Sequence, residues 1–295
     1  LRNENYFFRI FGDQKKIKKE LNKYSEFKNN IEIVDCTEIV EMNDKPSDVM
    51  RTKKNSSMYR SIISVLETDS QAVLSCGNTG ALMALSLLNI KSLEAIKRPA
   101  IASIWPNTNG ESIVLDLGAN TKLNSQYLVD NAILGSGLAS SLLKIKNPSV
   151  GLLNVGKENN KGNEIVNEAS LRLTELKVKG VINYAGYIEG SDISSGKTNV
   201  VITDGFTGNV ALKTAEGTAN FITDELKKAM TGSLIGKISS LLNISNLNKF
   251  KKRLDPRLYN GAIFIGLDSP VVKSHGGTDF IGFSNSLDVC HRIIK

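Results

Sequence analysis

Short continuous apolar runs alternate along most of this chain with segments whose apolar residues recur at helical spacing. The strand-like runs are Tyr6–Ile10, Ile31–Val34, Ala72–Ser75, Ala100–Ile104, Ser112–Leu117, Val150–Val155, Val181–Tyr184 and Val200–Thr203. The helix-period runs are Gln14–Phe27, Ser56–Glu67, Ala81–Leu88, Tyr127–Leu143, Glu164–Leu176 and Val210–Lys228. Repeated βα alternation predicts an α/β protein, a mainly parallel sheet with helices on both faces, whose ligands sit beyond the carboxyl ends of the strands. No internal repeat and no Pro- or Ser-rich linker divides the chain, so one α/β domain is expected over residues 1–295.

The ends of the strand-like runs carry the polar chemistry. Val73–Ala84 reads VLSCGNTGALMA: a strand breaks into a Gly-rich turn and an apolar helix begins. Gly77 and Gly80 permit a tight turn, Asn78 and Thr79 are capping residues, and the amides of a first helical turn face an oxyanion such as phosphate. A well-capped connection without ligand fits the same residues. Four similar turns follow. Asp116, Gly118 and Asn120 end one strand; Gly156, Glu158 and Lys161 lie after another; Asp204, Gly205, Gly208 and Asn209 follow VVIT and lead into a helix bearing Lys213 one turn on; and His275 stands in KSHGG before the C-terminal run. Any one of them fits a structural turn, whereas five at the strand ends of one sheet point to a shared polar site.

Charge and cysteine usage narrow the classes. The net charge of +7 comes largely from clusters at Lys15–Lys28, Arg51–Lys54 and Lys249–Arg253, which attract acidic partners of several kinds. No RNP, KH, zinc-finger or helix-turn-helix pattern accompanies the charge, so nucleic acid is not an expected partner. Cys36, Cys76 and Cys290 are scattered without CxxC spacing and His275 and His291 are the only histidines, so neither a disulfide framework nor a metal site is expected. No apolar run reaches bilayer-spanning length and the first residues lack the layout of a secretory signal, which predicts a cytoplasmic protein.

Thr231–Leu254 behaves differently. Leu234, Ile235, Ile238, Leu241, Leu242 and Ile244 recur at helical spacing beside Lys249, Lys251, Lys252 and Arg253. A basic amphipathic helical hairpin of this kind lies on an anionic membrane surface, or packs on the protein body or a second subunit.

The motifs SCGNTGALMA, RPAIASIWP, LDLGAN, LLNVGKENNKGNE, INYAGYIEGSDI, DGFTGNVALKTAEG and YNGAIFIGL…VVKSHG, in this order from about Gly12-Asp13 to the C-terminus, resemble the PlsX family of phosphate acyltransferases of bacterial phospholipid synthesis. The resemblance implies a Rossmann-like three-layer α/β/α fold related to isocitrate and isopropylmalate dehydrogenases. It implies transfer of a fatty acyl group from acyl carrier protein to inorganic phosphate, giving acyl phosphate, without a cofactor, by a cytoplasmic homodimer peripherally associated with the inner face of the cell membrane. The chain departs from the family pattern at three places. The expected opening strand and Asp-x-Met-Gly-Gly-Asp turn do not precede Leu1, so the chain reads as truncated; Cys76 stands where Ala is common; and Thr121-Lys122 replaces Val-Asp.

For that reaction phosphate is itself the nucleophile, so the protein must supply positioning and charge stabilisation. The expected set is Gly77, Asn78, Thr79 and Gly80 around phosphate; Lys161 and Lys213 for charge; Asn120 and Asn209 for orientation; Asp116, Glu158 and Asp204 orienting these lysines and amides; and His275 protonating the departing thiolate or binding phosphate. Lys213 as a solvated helix lysine and His275 as a hydrogen-bonded turn residue stay open. Two rival classes are an NAD-dependent dehydrogenase on the related fold, for which no G-x-G-x-x-G follows an early strand, and a non-catalytic membrane-associated scaffold built on Thr231–Leu254.

Overall fold

The computed structural model describes residues 6–24, 29–121, 124–158 and 160–295. Lys122, Lys28 and the far end of the Gln14–Phe27 run lie outside the described residues. In chain order the elements begin β1 (Phe8–Gly12), α1 (Gln14–Leu21), β2 (Ile31–Asp35), α2 (Pro46–Thr52), α3 (Ser57–Glu67), β3 (Val73–Ser75) and α4 (Thr79–Asn89). They continue with β4 (Ala100–Asn107), β5 (Gly110–Leu115), α5 (Ser125–Leu143), β6 (Ser149–Leu153), α6 (Glu164–Val178), β7 (Asn183–Ile188), α7 (Gly190–Ser195) and β8 (Val200–Ile202). Last come α8 (Gly205–Thr231), α9 (Leu234–Leu242), α10 (Ile244–Leu254), a 3₁₀ turn at Pro256–Tyr259, β9 (Ala262–Ile265), β10 (Val271–Lys273) and α11 (Phe280–Ile294).

The expected α/β class is what the chain forms, but its residues gather into two compact units rather than following sequence order. The first comprises Leu1–Pro99, Gly261–Thr278 and Ser286–Lys295; the second comprises Ala100–Asn260 and Asp279–Asn285. In the first unit β1 and β2 pair in parallel, from Phe8 opposite Ile31 to Gly12 opposite Asp35. There β10 lies between β3, to which it is parallel, and β9, to which it is antiparallel. Helix starts are fixed by side chains the sequence supplies: Asp13 accepts from the amides of Lys15 and Lys16, and Ser56 from that of Tyr59. Helix α2, which the apolar pattern does not reveal, starts with Pro46 in its first turn, where a missing N–H costs nothing.

In the second unit the strand order is β4-β5-β8-β6-β7. The pairs β5·β8, β8·β6 and β6·β7 are parallel. Their central residues, Val200–Ile202 and Val150–Leu152, are buried as continuous apolar runs, the signature of strands covered on both faces. Against the simple alternation, β4 and β5 form an antiparallel hairpin closed at Asn107 and Gly110. The expected strand Val181–Tyr184 sits further along, at Asn183–Ile188, because Lys179 and Gly180 are used in ending α6. The helix expected over Val210–Lys228 runs the full Gly205–Thr231, since Asp204 caps it at the very end of the strand.

Candidate functional site

The candidate residues divide between the two units, and in each they stand at the carboxyl ends of parallel strands. In the first unit β3 runs into Cys76, Gly77 and Asn78, and β10 runs into Ser274 and His275. The two strand ends are tied by the Ser274 amide, which donates to the Ser75 carbonyl at 2.9 Å. Asn78 is buried and its amide group is fully engaged. Its Oδ1 accepts from the Ala81 amide at 3.0 Å, capping α4, while its Nδ2 donates to the carbonyls of Glu41, Met42 and Asp44. Asn78 therefore holds a helix start in place rather than presenting its own amide to a ligand. Thr79 and Gly80 follow on the exposed first turn, whose backbone N–H groups have no partner within the helix. His275 is exposed, and its Nδ1 accepts from the Gly277 amide at 3.2 Å, so a neutral ring carries its proton on Nε2.

In the second unit the turn after β5 is organised by one carboxylate. Asp116 is fully buried; Oδ1 accepts from the amides of Ile101, Gly118 and Ala119, and Oδ2 from the amide of Asn120 and the hydroxyl of Tyr127. The sequence reading has Asp116 orienting nearby lysines and amides; fully buried, it accepts from the backbone amides of the Gly118–Asn120 turn and from Asn120 Nδ2 at 3.5 Å, and no ion pair with a lysine is found among the described residues. The start of α8 is laid against that turn: the Gly205 amide donates to the Asn120 carbonyl at 2.9 Å, and a Cβ on Gly208 would stand 1.9 Å from the Asp116 carbonyl oxygen. Only glycine permits that approach. Asp204 caps the helix through Thr207, and Asn209 is exposed beside Gly118.

The loop after β6 closes on itself in the same unit. Asn154 Nδ2 donates to the Lys161 carbonyl, and the Lys161 amide to the Glu158 carbonyl. Gly162 takes φ +88°, and a Cβ there would meet Asn154 Oδ1 at 2.2 Å. The side chains of Glu158 and Lys161 flank buried Gly156, and Lys161 has no ion-pair partner among the described residues. Lys157 of the same loop pairs with Asp192 of α7 at 2.9 Å. The Glu189 amide and Lys157 together hold the Asp192 carboxyl below the usual aspartate range. Lys213, by contrast, stands 53% exposed and pairs with Glu216 three residues along α8. The strand-to-helix spacing that suggests a stabilising charge at Lys213 leads to a solvent-facing pair.

Three contributors escape the sequence reading. Tyr127 lies inside an apolar helix run, and only folding carries its hydroxyl to Asp116; burial and that carboxylate raise its pKa. Asp192 is legible only as part of the SDI motif. Lys273 does leave a signal, a lysine closing the apolar strand VVK, and its side chain is 8% exposed. Among the described residues no group of three or more His, Cys, Asp or Glu gathers to hold a metal ion, and no helix is long and apolar enough to cross a membrane.

The fold and these strand-end turns define an α/β protein of the architecture found in phosphotransacylases. EutD phosphotransacetylase from Staphylococcus aureus superposes with a TM-score of 0.59 at 16% identity, over 96% of this chain and 84% of that one. A 4-hydroxythreonine-4-phosphate dehydrogenase from Klebsiella pneumoniae superposes with a TM-score of 0.53 at 12% identity, over 97% of this chain and 90% of that one. In sequence, a phosphate acyltransferase of Pelagibacter ubique is 54% identical over 99% of this chain and 87% of its own length. One of Sinorhizobium fredii is 42% identical over 100% of this chain and 85% of its own. All of residues 1–295 match the family described as fatty acid synthesis protein, and the chain belongs to that family.

Proposed function

We propose that this protein is a phosphate acyltransferase that moves a fatty acyl group from acyl carrier protein to inorganic phosphate. The observation that carries the reading is the 54% identity to a phosphate acyltransferase along 99% of the chain. The geometry supports it with two sets of glycine-rich strand ends, of the kind that seats small anions. A phosphate oxygen attacks the thioester carbonyl, forming a C–O bond and a tetrahedral oxyanion; the C–S bond then breaks, and the thiolate takes a proton from water, while the His275 Nε2–H serves as a hydrogen-bond donor to phosphate. No general base is needed, because the phosphate dianion is a nucleophile near neutral pH. What the chain supplies is position and charge. In the first unit the first turn of α4 holds phosphate; in the second, Lys161 supplies positive charge and Asn120 and Asn209 supply amides at their own strand ends.

The basic surface of a chain with net charge +7 suits an acidic carrier protein as donor. On α9, Leu234, Ile235, Ile238, Leu241 and Leu242 are all at least 60% exposed, and α10 adds Lys249, Lys251, Lys252 and Arg253. This supports peripheral docking on an anionic membrane, where a poorly soluble acyl phosphate is delivered, or burial against a second subunit of a homodimer. The test of the reaction is to mix the protein with an acyl carrier protein thioester and phosphate and to trap the product with hydroxylamine. Acyl hydroxamate that forms only with phosphate present is expected. Free fatty acid alone, or no turnover, overturns the proposal, and NAD binding without phosphate dependence replaces it with the dehydrogenase reading.

A further inference from the structure

An almost fully buried ammonium group lies at the carboxyl end of β10. Lys273 is 8% exposed and stands opposite Ser75 in the parallel β3·β10 register, so it is fixed beside the strand that leads into the Cys76–Gly80 turn. The segment after it packs on that turn: a Cβ on Gly276 would lie 3.3 Å from the Cys76 carbonyl oxygen. Lys273 Nζ donates to the Ser274 carbonyl, and the Cys76 thiol acts on its charge. No carboxylate pairs with it among the described residues.

An ammonium has three donors, and burying its charge without an anion costs several kcal/mol. Structural lysines at such depth are normally matched by an acid; among the described residues none pairs with Lys273, and the strand beside it leads into a helix first turn with exposed residues Thr79 and Gly80. We infer that Lys273 is a phosphate-binding residue, its ammonium group contacting the phosphate dianion held at the first turn of α4. The inference rests on the proposed function, in which phosphate is the acyl acceptor. Burial holds the Lys273 amine below its ordinary pKa, and an adjacent dianion favours the charged form.

The experiment is thermal unfolding of the full chain under titration with inorganic phosphate, paired with steady-state kinetics, for wild type and Lys273→Met. The phosphate concentration needed for a given rise in Tm, and the KM for phosphate, are expected to increase about 10- to 100-fold in Lys273→Met, the range for losing one charged hydrogen bond. The KM for the thioester donor stays unchanged, and the variant is at least as stable as wild type without phosphate, because an unmatched buried charge has gone. A merely structural lysine gives the opposite pattern, lowered stability with an unaltered phosphate requirement, and that result overturns the inference, as does a rise confined to the donor KM. If the Met variant does not fold, Lys273→Gln carries the same test. Wild type that shows no response to phosphate overturns the proposed function and this inference together; a wild-type response matched by both variants overturns the Lys273 assignment alone.

Discussion

The Tyr127 hydroxyl donates to Asp116 Oδ2 at 2.8 Å, joining α5 to the turn that ends β5. The same hydroxyl accepts from Asn120 Nδ2 at 2.7 Å, so one buried oxygen holds both the carboxylate and the amide of the turn. Tyr127→Phe keeps the packing and removes this oxygen, leaving a buried carboxylate short of a donor. The expected loss is about 1–3 kcal/mol of unfolding free energy, read from urea titration. A loss much below that range would mean the turn is held by its backbone amides alone.

Two glycines of α8 make opposite predictions. Gly208→Ala drives a Cβ to 1.9 Å from the Asp116 carbonyl oxygen and 2.9 Å from Thr203 Cγ2, and the obstacle is backbone that cannot swing aside. Destabilisation of about 3 kcal/mol or more, or failure to fold, is expected. Gly217→Ala meets nothing within 4 Å and stabilises the helix by about 0.5–1 kcal/mol. Thermal unfolding of the pair checks both signs.

Charge removal separates the two lysines of the second unit. Lys161, without an ion-pair partner among the described residues, is expected to lose about 100-fold or more in kcat when replaced by Met, the scale for one preorganised charge-stabilising contact. Lys213→Met breaks only the exposed pair with Glu216 and leaves kcat nearly intact. The reverse order of effects would move the charge-stabilising role to α8.

The Lys157–Asp192 pair gives a pH signature. The folded-state pKa of Asp192 lies below the ordinary value of 3.8, so the unfolded chain binds its proton first as pH falls. Its stabilising contribution is fully present well above pH 3.8 and is lost as pH drops through the folded value. Asp192→Asn is therefore less stable than wild type at pH 7, and the difference shrinks in acid unfolding experiments towards pH 2–3. A difference independent of pH would assign the effect to the α7 cap geometry instead of to charge.

Leu241 and Leu242 are 72% and 82% exposed, so replacing both by Glu costs the folded chain little burial. The double variant is expected to lose binding to anionic vesicles, measured by co-sedimentation, while keeping activity in solution. Dissociation of an oligomer with vesicle binding retained would place these leucines in a subunit contact.

The sequence by itself determined the class of fold and the places where chemistry gathers. Short continuous apolar runs such as VVI, bounded by turn residues, mark buried strands, and capping residues such as Asp13, Asn78 and Asp204 mark helix starts from local bonds within four residues. What those polar residues do was decided by tertiary structure, because side-chain commitments depend on partners far along the chain. Asn78 is taken up by carbonyls at residues 41–44, Asp116 by Ile101 and Tyr127, and Lys157 by Asp192, while Lys213 finds only its own helix neighbour. The division into two units was equally hidden, since Gly261–Thr278 returns to the first unit by pairing β10 with β3, a contact across nearly 200 residues that no local pattern encodes. Burial without an acid at Lys273 is of the same kind: composition supplies the lysine, and only the packing of β10 shows that no carboxylate pairs with it among the described residues.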